Sequence, residues 1–351
     1  MKGVVAFREE YLRIAFTPFS LREVWSGRVA VLIKLYRELS LDKYLDLKPP
    51  EPATPQDLYL VHSEEYVDYV RRKSAEGYGL LDYGDTPSFP GVFEDALLAV
   101  GGTILCVNEI VKGNYKVAFN PQGGFHHAKR DRAAGFCVFN DVALAAVLLE
   151  KAGHRVAVLD VDGHHGDGTQ QILYDKPILK ISTHMYYPGF YPGTGYINEL
   201  GEGEGYGYSV NVPLPPDSGD DVFEYVLEEL IEPLLTLYKP SVVVLQCGAD
   251  SHLGDPLVGL ALTTLSYRTL AESLKKLRVP LVVLSGGGYV KEVAARVWLS
   301  TLLALLGAAE EVLSPLMDEE EGTKSPESVR RLVERRINDL KAYLREVYGD
   351  L

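Results

Sequence analysis

Short apolar segments alternate with longer amphipathic segments along most of this chain. Six of the short segments have the length and apolar character of buried strands: residues 4–7, 116–119, 156–159, 178–182, 242–246 and 281–284. Between them, apolar residues recur at helical spacing near residues 26–39, 92–112, 140–152, 220–238, 264–277 and 290–308. Strands that are apolar on both faces and alternate with helices predict an α/β fold, in which a mostly parallel central sheet lies between helices.

The pattern changes once, at residues 315–325, which include the acidic run Asp318-Glu319-Glu320-Glu321-Gly322. We predict one domain over residues 1–314. Over 315–351 we predict an acidic linker and an amphipathic helix that begins at Ser325-Pro326, with proline in its first position. The helix carries an apolar stripe of seven residues: Val329, Leu332, Val333, Ile337, Leu340, Leu344 and Val347. This stripe would pack either on the body of the protein or on a second copy of the chain, as a homo-oligomer.

Composition and charge exclude several classes of partner. The 351 residues carry a formal net charge of −14, whereas nonspecific binding to nucleic acid needs a basic surface. The charge is compatible with a cationic substrate, although solubility alone also explains it. The longest apolar stretch, residues 297–309, is too short to span a bilayer. The three cysteines show no CxxC spacing, which favours a reducing compartment, so we expect a cytoplasmic protein that binds neither nucleic acid nor membrane.

The densest group of ionisable residues follows the segment 156–159. The sequence there is Asp160-Val161-Asp162-Gly163-His164-His165-Gly166-Asp167-Gly168. Each ionisable group at the end of a buried strand must be solvated, paired or bound to a metal. Asp162 and His164 are two residues apart, so in an extended segment their side chains point to the same side. They supply two of the three protein ligands of a typical catalytic zinc site, the alternative being a polar turn with a capping aspartate.

Further polar residues follow three other predicted strands, at the carboxyl ends where open α/β sheets place their ligand sites. Asp250 follows the strand 242–246 directly and is a natural third ligand, unless it caps a helix. Tyr289 follows Gly286-Gly287-Gly288 after the strand 281–284 and could donate a hydrogen bond to a developing oxyanion.

Two adjacent histidines follow the strand 116–119. His126 and His127 are difficult to explain as two core residues. Asp160 and Asp167 are available to form two Asp–His pairs, which would fix the tautomer and basicity of each ring. One such pair beside a metal-activated water would make a general base.

Taken together, these residues resemble the zinc-dependent histone deacetylase family, which includes bacterial and archaeal acetoin-utilisation and acetylpolyamine deacetylases. The resemblance extends from about residue 25 to about residue 310 and rests on five runs in family order: Gly124-Phe125-His126-His127-Ala128-Lys129, Gly135-Phe136-Cys137, Asp160 to Gly168, Pro188-Gly189-Phe190-Tyr191-Pro192-Gly193-Thr194-Gly195 and Gly286-Gly287-Gly288-Tyr289. It implies an arginase/deacetylase-like three-layer fold. It also implies a zinc-dependent amidohydrolase that removes acetyl groups from N-acetylated amines, either acetyl-lysine in proteins or a small amine such as an acetylated polyamine.

The resemblance also implies a role for each site residue. Zinc would be held by Asp162, His164 and Asp250. His126 would pair with Asp160 and mainly stabilise charge, while His127, paired with Asp167, would act as general base and later as acid. Tyr289 would polarise the acetyl carbonyl. The implied substrate contacts are Asp85 at the rim, Gly135, Phe136, Tyr191 and Leu257 along the acyl-lysine path, and Arg28 near the inner acetate cavity. A monovalent cation, potassium, would lie near Asp160 and Ser182.

The sequence departs from the family pattern at two points. Many members carry phenylalanine where Tyr191 stands, so the added hydroxyl could admit a more polar substrate. The early His-Pro motif of the family is not evident near Thr17-Pro18.

Two other functions remain as alternatives. An arginase-type ureohydrolase would hold two metal ions, which needs more clustered carboxylates and leaves Tyr289 unexplained. A non-catalytic binding module would be expected to lack a ligand, a histidine or the tyrosine, and the sequence has all of them.

Overall fold

A parallel sheet of eight strands forms the centre of the fold. The computed structural model describes residues 2–319 and 322–349. The strands in these residues are β1 (Gly3–Ala6), β2 (Leu45–Lys48), β3 (Gly79–Leu80), β4 (Pro87–Ser88), β5 (Val117–Asn120), β6 (Val156–Asp160), β7 (Leu179–Met185), β8 (Ser209–Leu214), β9 (Val242–Gln246) and β10 (Leu281–Leu284). The sheet has the order β2-β1-β5-β10-β9-β6-β7-β8, and all its neighbouring strands are parallel. β3 and β4 form a separate antiparallel pair.

Helices connect these strands and flank the sheet. They are α1 (Phe19–Glu38), α2 (Pro55–Leu58), α3 (Glu64–Glu76), α4 (Val92–Val111), α5 (Asp141–Lys151), α6 (Asp167–Leu173), α7 (Asp220–Val226), α8 (Glu232–Tyr238), α9 (Thr264–Lys276), α10 (Lys291–Leu306), α11 (Glu310–Leu313) and α12 (Glu327–Tyr348). The inner strands β5, β6, β9 and β10 are buried along their whole length, as expected for a parallel sheet covered on both faces. The predicted α/β fold with a mostly parallel sheet is therefore confirmed.

Two strands of the sheet, β2 and β8, were not among the six predicted from the apolar pattern. They are the two edge strands. β2 (LDLK) buries only its first residue, and β8 (SVNVPL) alternates apolar residues with buried polar ones. The prediction required a continuous apolar run, which marks a central strand and not an edge strand.

Two helices differ from their predicted course because of prolines. α1 begins at Phe19 instead of near residue 26, directly after the extended Pro18. The helix predicted over 220–238 consists of α7, a π-helical segment (Leu227–Ile231) and α8. Pro233 lies in the first turn of α8 and has no backbone N–H, so the regular hydrogen-bond ladder cannot run through this point.

The C-terminal helix packs on the body of the same chain. In α12, Val333, Ile337, Leu340 and Leu344 are buried, and the helix contacts β8 and α7. It begins at Glu327, so Pro326 is its N-cap and not its first residue. Of the acidic run, Glu320 and Glu321 lie outside the described residues.

Asp318, at the start of that acidic run, is tied to the body by its side chain. Its carboxylate accepts from the backbone N–H of Thr264 and lies 2.8 Å from Arg296 Nη2 and 2.9 Å from His252 Nε2. Although burial opposes it, the contact with His252 and these other hydrogen bonds lower the pKa of the Asp318 carboxyl well below its usual range.

Among the described residues, no helix is both long and apolar enough to cross a bilayer.

Candidate active site

Four neighbouring strands in the middle of the sheet, β5, β10, β9 and β6, bring the predicted site residues together at one edge. In a parallel sheet the carboxyl ends of all strands lie on the same side, so the loops that follow them converge. The resulting cavity is lined by His126 and His127 after β5, Asp162 and His164 after β6, Asp250 after β9, and Tyr289 after β10.

Asp162, His164 and Asp250 form a candidate metal site. Each offers one donor atom, and these atoms all lie within 4.8 Å of one another. His164 Nδ1 lies 2.9 Å from Asp250 Oδ2 and 3.4 Å from Asp162 Oδ1. Two carboxylates and one imidazole that face a common point are a donor set that suits a catalytic zinc ion with an open coordination position.

The two carboxylates are held in place by backbone N–H groups. Asp162 Oδ2 accepts from the backbone N–H of Gly287 at 2.8 Å, and Asp250 Oδ1 accepts from that of Gly163 at 2.7 Å. A Cβ atom on Gly287 would collide with both carboxylates, so glycine is required for this close approach of the backbone. Hydrogen bonds of this kind orient ligand carboxylates before a metal binds.

The ligands have shifted pKa values that fit a cation site. Burial alone would lower the pKa of His164, but its contacts with Asp162 and Asp250 raise it to about 10. Burial and the Asp162 charge raise the pKa of Asp250. In the metal-free chain, a proton on Nδ1 of His164 thus supplies positive charge between the two carboxylates.

The two predicted Asp–His pairs are present. His126 Nδ1 lies 2.9 Å from Asp160 Oδ2, and His127 Nδ1 lies 2.7 Å from Asp167 Oδ1. The two rings face each other, with 3.1 Å between their Nε2 atoms. Lys129 Nζ lies 2.9 Å from the other oxygen of Asp167. All four members of the pairs are buried.

The two rings differ in basicity because their surroundings differ. Burial lowers the pKa of His126, but the Asp160 and Asp162 charges outweigh it and raise the value to about 9. Burial and the charge on His126 lower the pKa of His127 to about 4, against the opposing effect of Asp167. Near neutral pH, His126 is therefore charged, and His127 is neutral and able to accept a proton.

Tyr289 lies in the same cavity and stays protonated. Burial, together with the Asp250 and Asp162 charges, raises the pKa of its hydroxyl well above the usual value. Its backbone N–H donates to Asp255 Oδ2 at 2.7 Å, which fixes the glycine-rich loop that carries it. A neutral hydroxyl is a hydrogen-bond donor, as an oxyanion contact requires.

The predicted substrate residues Gly135, Phe136 and Tyr191 surround this cavity. The Phe136 ring lies edge-on to Tyr289 at 6.3 Å, and the half-exposed Tyr191 ring lies edge-on to His127 at 4.9 Å. Phe136 has a positive φ of 65°, and its backbone N–H donates to Thr86 Oγ1. Gly135 has no room for a Cβ beside the His127 ring and the Tyr191 hydroxyl.

Outside these residues lies a larger groove of about 630 Å³ that contains Asp85. Its lining includes four tyrosines, three acids and one arginine: Tyr66, Tyr69, Leu81, Asp82, Tyr83, Gly84, Asp85, Asp131, Arg132, Ala133, Ala134, Gly135 and Tyr191. Burial and the Asp82 charge raise the pKa of Asp85. The groove meets the inner cavity at Gly135, which lines both.

The remaining predicted residues lie around this centre. Arg28 is buried, and its Nη1 donates to the carbonyls of Gly286 and Gly288, so it holds the Tyr289 loop from behind. Leu257 is exposed, and its backbone N–H donates to Asp255, the residue that also binds the backbone of Tyr289. Ser182 is paired in register with Asp160 across β7 and β6.

Four residues of the site were not found from the sequence. Gln246 Nε2 donates to Asp162 Oδ2 at 2.9 Å, and Asp141 accepts from the backbone N–H groups of Gly124 and Phe125. Asp255 binds the Tyr289 loop, and the Phe190 ring stacks on His164 at 5.1 Å. Phe190 lies beside Tyr191 in a recognised motif, and this position could have identified it as a site residue. The other three are single polar residues whose partners are set only by the fold.

The sequence and fold match those of known deacetylases. Residues 24–305 match the histone deacetylase domain. A probable deacetylase from Archaeoglobus fulgidus is 40% identical over 300 residues, which cover 82% of this chain and 81% of that protein. Histone deacetylase 8 from Xenopus tropicalis is 32% identical over 301 residues, 84% of this chain and 81% of that protein. A solved structure, the HDA15 HD domain, superposes with a TM-score of 0.85 at 27% sequence identity and covers 99% of this chain and 95% of its own.

These matches extend over most of the chain and contain the residues of the cavity. The Asp–His pairs, the three clustered ligand side chains and the tyrosine all lie within the matched residues 24–305. The family assignment made from the motifs is therefore confirmed: the chain belongs to the histone deacetylase family, whose deacetylases are hydrolases that act on amides.

Proposed function

We propose that this protein is a zinc-dependent deacetylase of N-acetylated amines. The observation that carries the proposal is the meeting, in one buried cavity, of three ligand side chains, two Asp–His pairs with opposite pKa shifts and a neutral tyrosine hydroxyl. Amide hydrolysis needs an electrophile for the carbonyl, a base for water and a proton for the leaving amine. Each of these needs has a candidate residue or ligand set here.

We assign each site residue a catalytic role that follows from its charge. Zinc held by Asp162, His164 and Asp250 would supply a Lewis acid that polarises the carbonyl and acidifies a water molecule. Neutral His127 would accept a proton from the attacking water and pass it to the leaving nitrogen, while Asp167 holds its ring in the required tautomer. Charged His126, paired with Asp160, stabilises negative charge that develops beside it. Tyr289 donates a hydrogen bond to the carbonyl oxygen as it becomes an oxyanion.

The groove favours a substrate amine that is long or positively charged beyond its acetylated nitrogen. Phe136 and Tyr191 would flank the methylene chain of an acetyl-lysine side chain or an acetylated polyamine. The acids of the groove, Asp82, Asp85 and Asp131, would then attract positive charges further along the substrate. Asp85 would grip the substrate backbone or a second amine.

A potassium ion near Asp160 and Ser182 is a second part of the proposal. The oxygens of both side chains lie on the same face of the sheet, because they are register partners in β6 and β7. Asn211, the register partner of Ser182 in β8, has a buried Oδ1 for which the described residues provide no hydrogen-bond partner. An oxygen-rich, incompletely bonded layer suits a weakly held monovalent cation. Activity in potassium chloride should then exceed activity in tetramethylammonium chloride at equal ionic strength.

The two alternatives have less support. Among the described residues, Asp162, His164 and Asp250 form the one group of three metal-binding side chains close enough to hold an ion, whereas a ureohydrolase would need ligands for two metals. A binding module would not need the opposed basicities of His126 and His127.

Cytoplasmic location and oligomerisation through α12 remain predictions. Because the apolar stripe of α12 packs within the chain, any such contact would use the polar face of the helix.

A direct test compares two substrates, and it compares the loss of a site histidine with the loss of a histidine outside the cavity. Zinc-loaded protein is given an acetyl-lysine peptide and an N-acetylated polyamine at matched concentrations, and the released acetate is measured. We expect turnover of at least one substrate and a far greater loss of kcat for His127→Gln than for the control His154→Gln, a partly buried histidine that does not line the cavity. Turnover of neither substrate by stoichiometrically loaded protein would contradict the proposal.

A further inference from the structure

The space around the reacting centre is very small, in contrast to the groove outside it. The cavity that contains the ligand side chains and Tyr289 has a volume of about 20 Å³. That is room for about one water-sized group, since a single water needs about 10–15 Å³ on this scale. The inference below concerns this cavity and rests on the proposed deacetylase function.

Trp25 forms part of the wall of the cavity and does not border the groove. Gly135 lines both spaces, whereas Trp25 and Phe125 line the inner cavity and do not line the groove. Trp25 projects from α1, far in sequence from the residues of the strand ends, and it is almost completely buried. No catalytic step described above uses this ring.

The Trp25 ring is fixed by packing on several sides. The Arg28 guanidinium carbon lies 3.6 Å from the ring centroid, within the range of a cation–π interaction. The ring stacks on Phe125 at 6.4 Å with an interplanar angle of 25°, and it is tilted against Tyr289 at 6.1 Å. Arg28 is itself bound to the Gly286 and Gly288 carbonyls, so the Trp25 ring packs on a side chain that is fixed to the Tyr289 loop.

The backbone that forms the neighbouring walls of the cavity is also tightly packed. Gly124 and Gly286 are in such close contact that a Cβ on Gly124 would collide with the backbone of Gly286. Backbone atoms move less readily than side-chain ends, so a longer acyl chain could be accommodated only by displacement of Trp25 or Phe125.

We propose that Trp25 is a specificity-determining residue that limits the acyl group to acetyl or formyl. An acyl chain that enters past Phe136 and Tyr191 with its carbonyl at the ligand side chains meets the Trp25 ring after the first carbon beyond the carbonyl. Propionyl, butyryl and longer chains are excluded by its volume.

The test is an acyl series on one lysine peptide: formyl, acetyl, propionyl, butyryl and hexanoyl. Wild type should show a kcat/KM for acetyl at least about 100-fold above that for butyryl, the size expected for two methylenes in a closed pocket. Trp25→Leu should lower this ratio at least about tenfold, mainly through faster butyryl cleavage, with Trp25→Phe between them. Trp298 is the matched control because its ring also contacts Arg28, at 5.1 Å, but does not line the cavity. Trp298→Phe should leave the ratio unchanged.

A binding readout separates this inference from the proposed function. In the Tyr289→Phe background, which slows turnover about 10²–10³-fold and keeps Trp25, the dissociation constants of the acetyl and butyryl peptides are measured by calorimetry. Tighter binding of acetyl, with the difference reduced by adding Trp25→Leu, supports the inference even if the catalytic proposal fails. Equal handling of acetyl and butyryl by wild type, or an unchanged ratio in Trp25→Leu, overturns it. If the protein hydrolyses and binds none of the peptides, this inference falls, whereas the proposed function is decided by the acetylated-polyamine assay described above.

Discussion

At the scale of single residues, a proton on His164 offsets part of the negative charge of the ligand set when no metal is present. His164 lies between Asp162 and Asp250, whose contacts raise its pKa to about 10 against the effect of burial. At pH 7 the ring is therefore protonated, and it must lose that proton before its nitrogen can bind zinc. This produces a linkage between zinc binding and pH.

We predict that zinc uptake at pH 7 releases at least one proton from the protein. The apparent zinc affinity should rise by at least about tenfold per pH unit between pH 6 and pH 9, because the proton competes with the metal over this range. Calorimetry in buffers of different ionisation enthalpy measures the number of protons released. His164→Ala should abolish stoichiometric binding, and zinc uptake by the unaltered protein without proton release would contradict the assignment.

Tyr289 gives a second prediction at this scale. Tyr289→Phe should lower kcat by about 10²–10³-fold with little change in KM, since a single oxyanion donor is lost and the cavity keeps its shape. Steady-state kinetics with an acetyl-lysine peptide measure both constants. Tyr343→Phe, on the exposed face of α12, is the matched control and should leave both unchanged. Activity near the wild-type level in Tyr289→Phe would refute the role of this hydroxyl.

Ionisable residues that stand close together in the sequence could be predicted as site residues. Residues that stand alone in the sequence and reach the site only through the fold could not. The spacing of Asp162 and His164 and the adjacency of His126 and His127 indicate chemistry wherever the fold places them. Gln246 and Trp25 are isolated in sequence, and only the folded chain brings them to the ligands and the inner cavity.

At the scale of elements, the carboxyl ends of four adjacent strands position the site, and glycines allow their loops to meet. Gly248 and Gly287 lie so close to the ligand carboxylates that an added Cβ would overlap the Asp162 carboxyl, and at Gly287 that of Asp250 as well. The glycine-rich loop after β10 therefore has a steric role at the metal site in addition to carrying Tyr289.

We predict that Gly287→Ala weakens zinc binding at least about 10–100-fold, the usual effect of disturbing groups that orient metal ligands. Zinc content after dialysis, and titration with a competing chelator, measure the change. Gly259→Ala is the control, because its added Cβ would meet the nearest atom, Met185 Sδ, at an ordinary 3.5 Å. If Gly287→Ala binds zinc as tightly as Gly259→Ala, the steric argument is wrong.

The central strands were predictable because each is a continuous apolar run, and the edge strands were not. β2 is only partly buried and carries Asp46. β8 is fully buried, but polar residues interrupt its apolar ones, such as Asn211, whose Nδ2 donates to Gln170 Oε1. The π-helical segment before Pro233 likewise follows from a single proline, and its local geometry was not predicted.

At the scale of the whole molecule, the C-terminal helix completes the body instead of forming a separate unit. Its apolar stripe is buried against β8 and the adjoining helices, and the linker before it is anchored at Asp318. The sequence gives the stripe but not its partner, because an amphipathic helix matches any apolar surface of the right width.

We predict that Ile337→Asp lowers the free energy of unfolding by about 3 kcal/mol or more, since it places an unpaired charge in a buried site. The adjacent Asn338→Asp introduces the same group at an exposed position and should change it by less than about 0.5 kcal/mol. Chemical denaturation of the full-length chain compares them. Equal stability of the two variants would mean that the helix is not packed on the body.

We propose that this fold holds a zinc ion whose presence turns the cavity into an amide hydrolase. The most direct measurement is deacetylation of an acetyl-lysine peptide and an acetylated polyamine by purified protein, stripped of metal and then reconstituted with one equivalent of zinc. We predict no turnover by the stripped protein and restored turnover of at least one substrate after reconstitution, with Asp250→Asn inactive in both states. Turnover that is unaffected by stripping, or a protein that binds no zinc at Asp162, His164 and Asp250, would contradict the account.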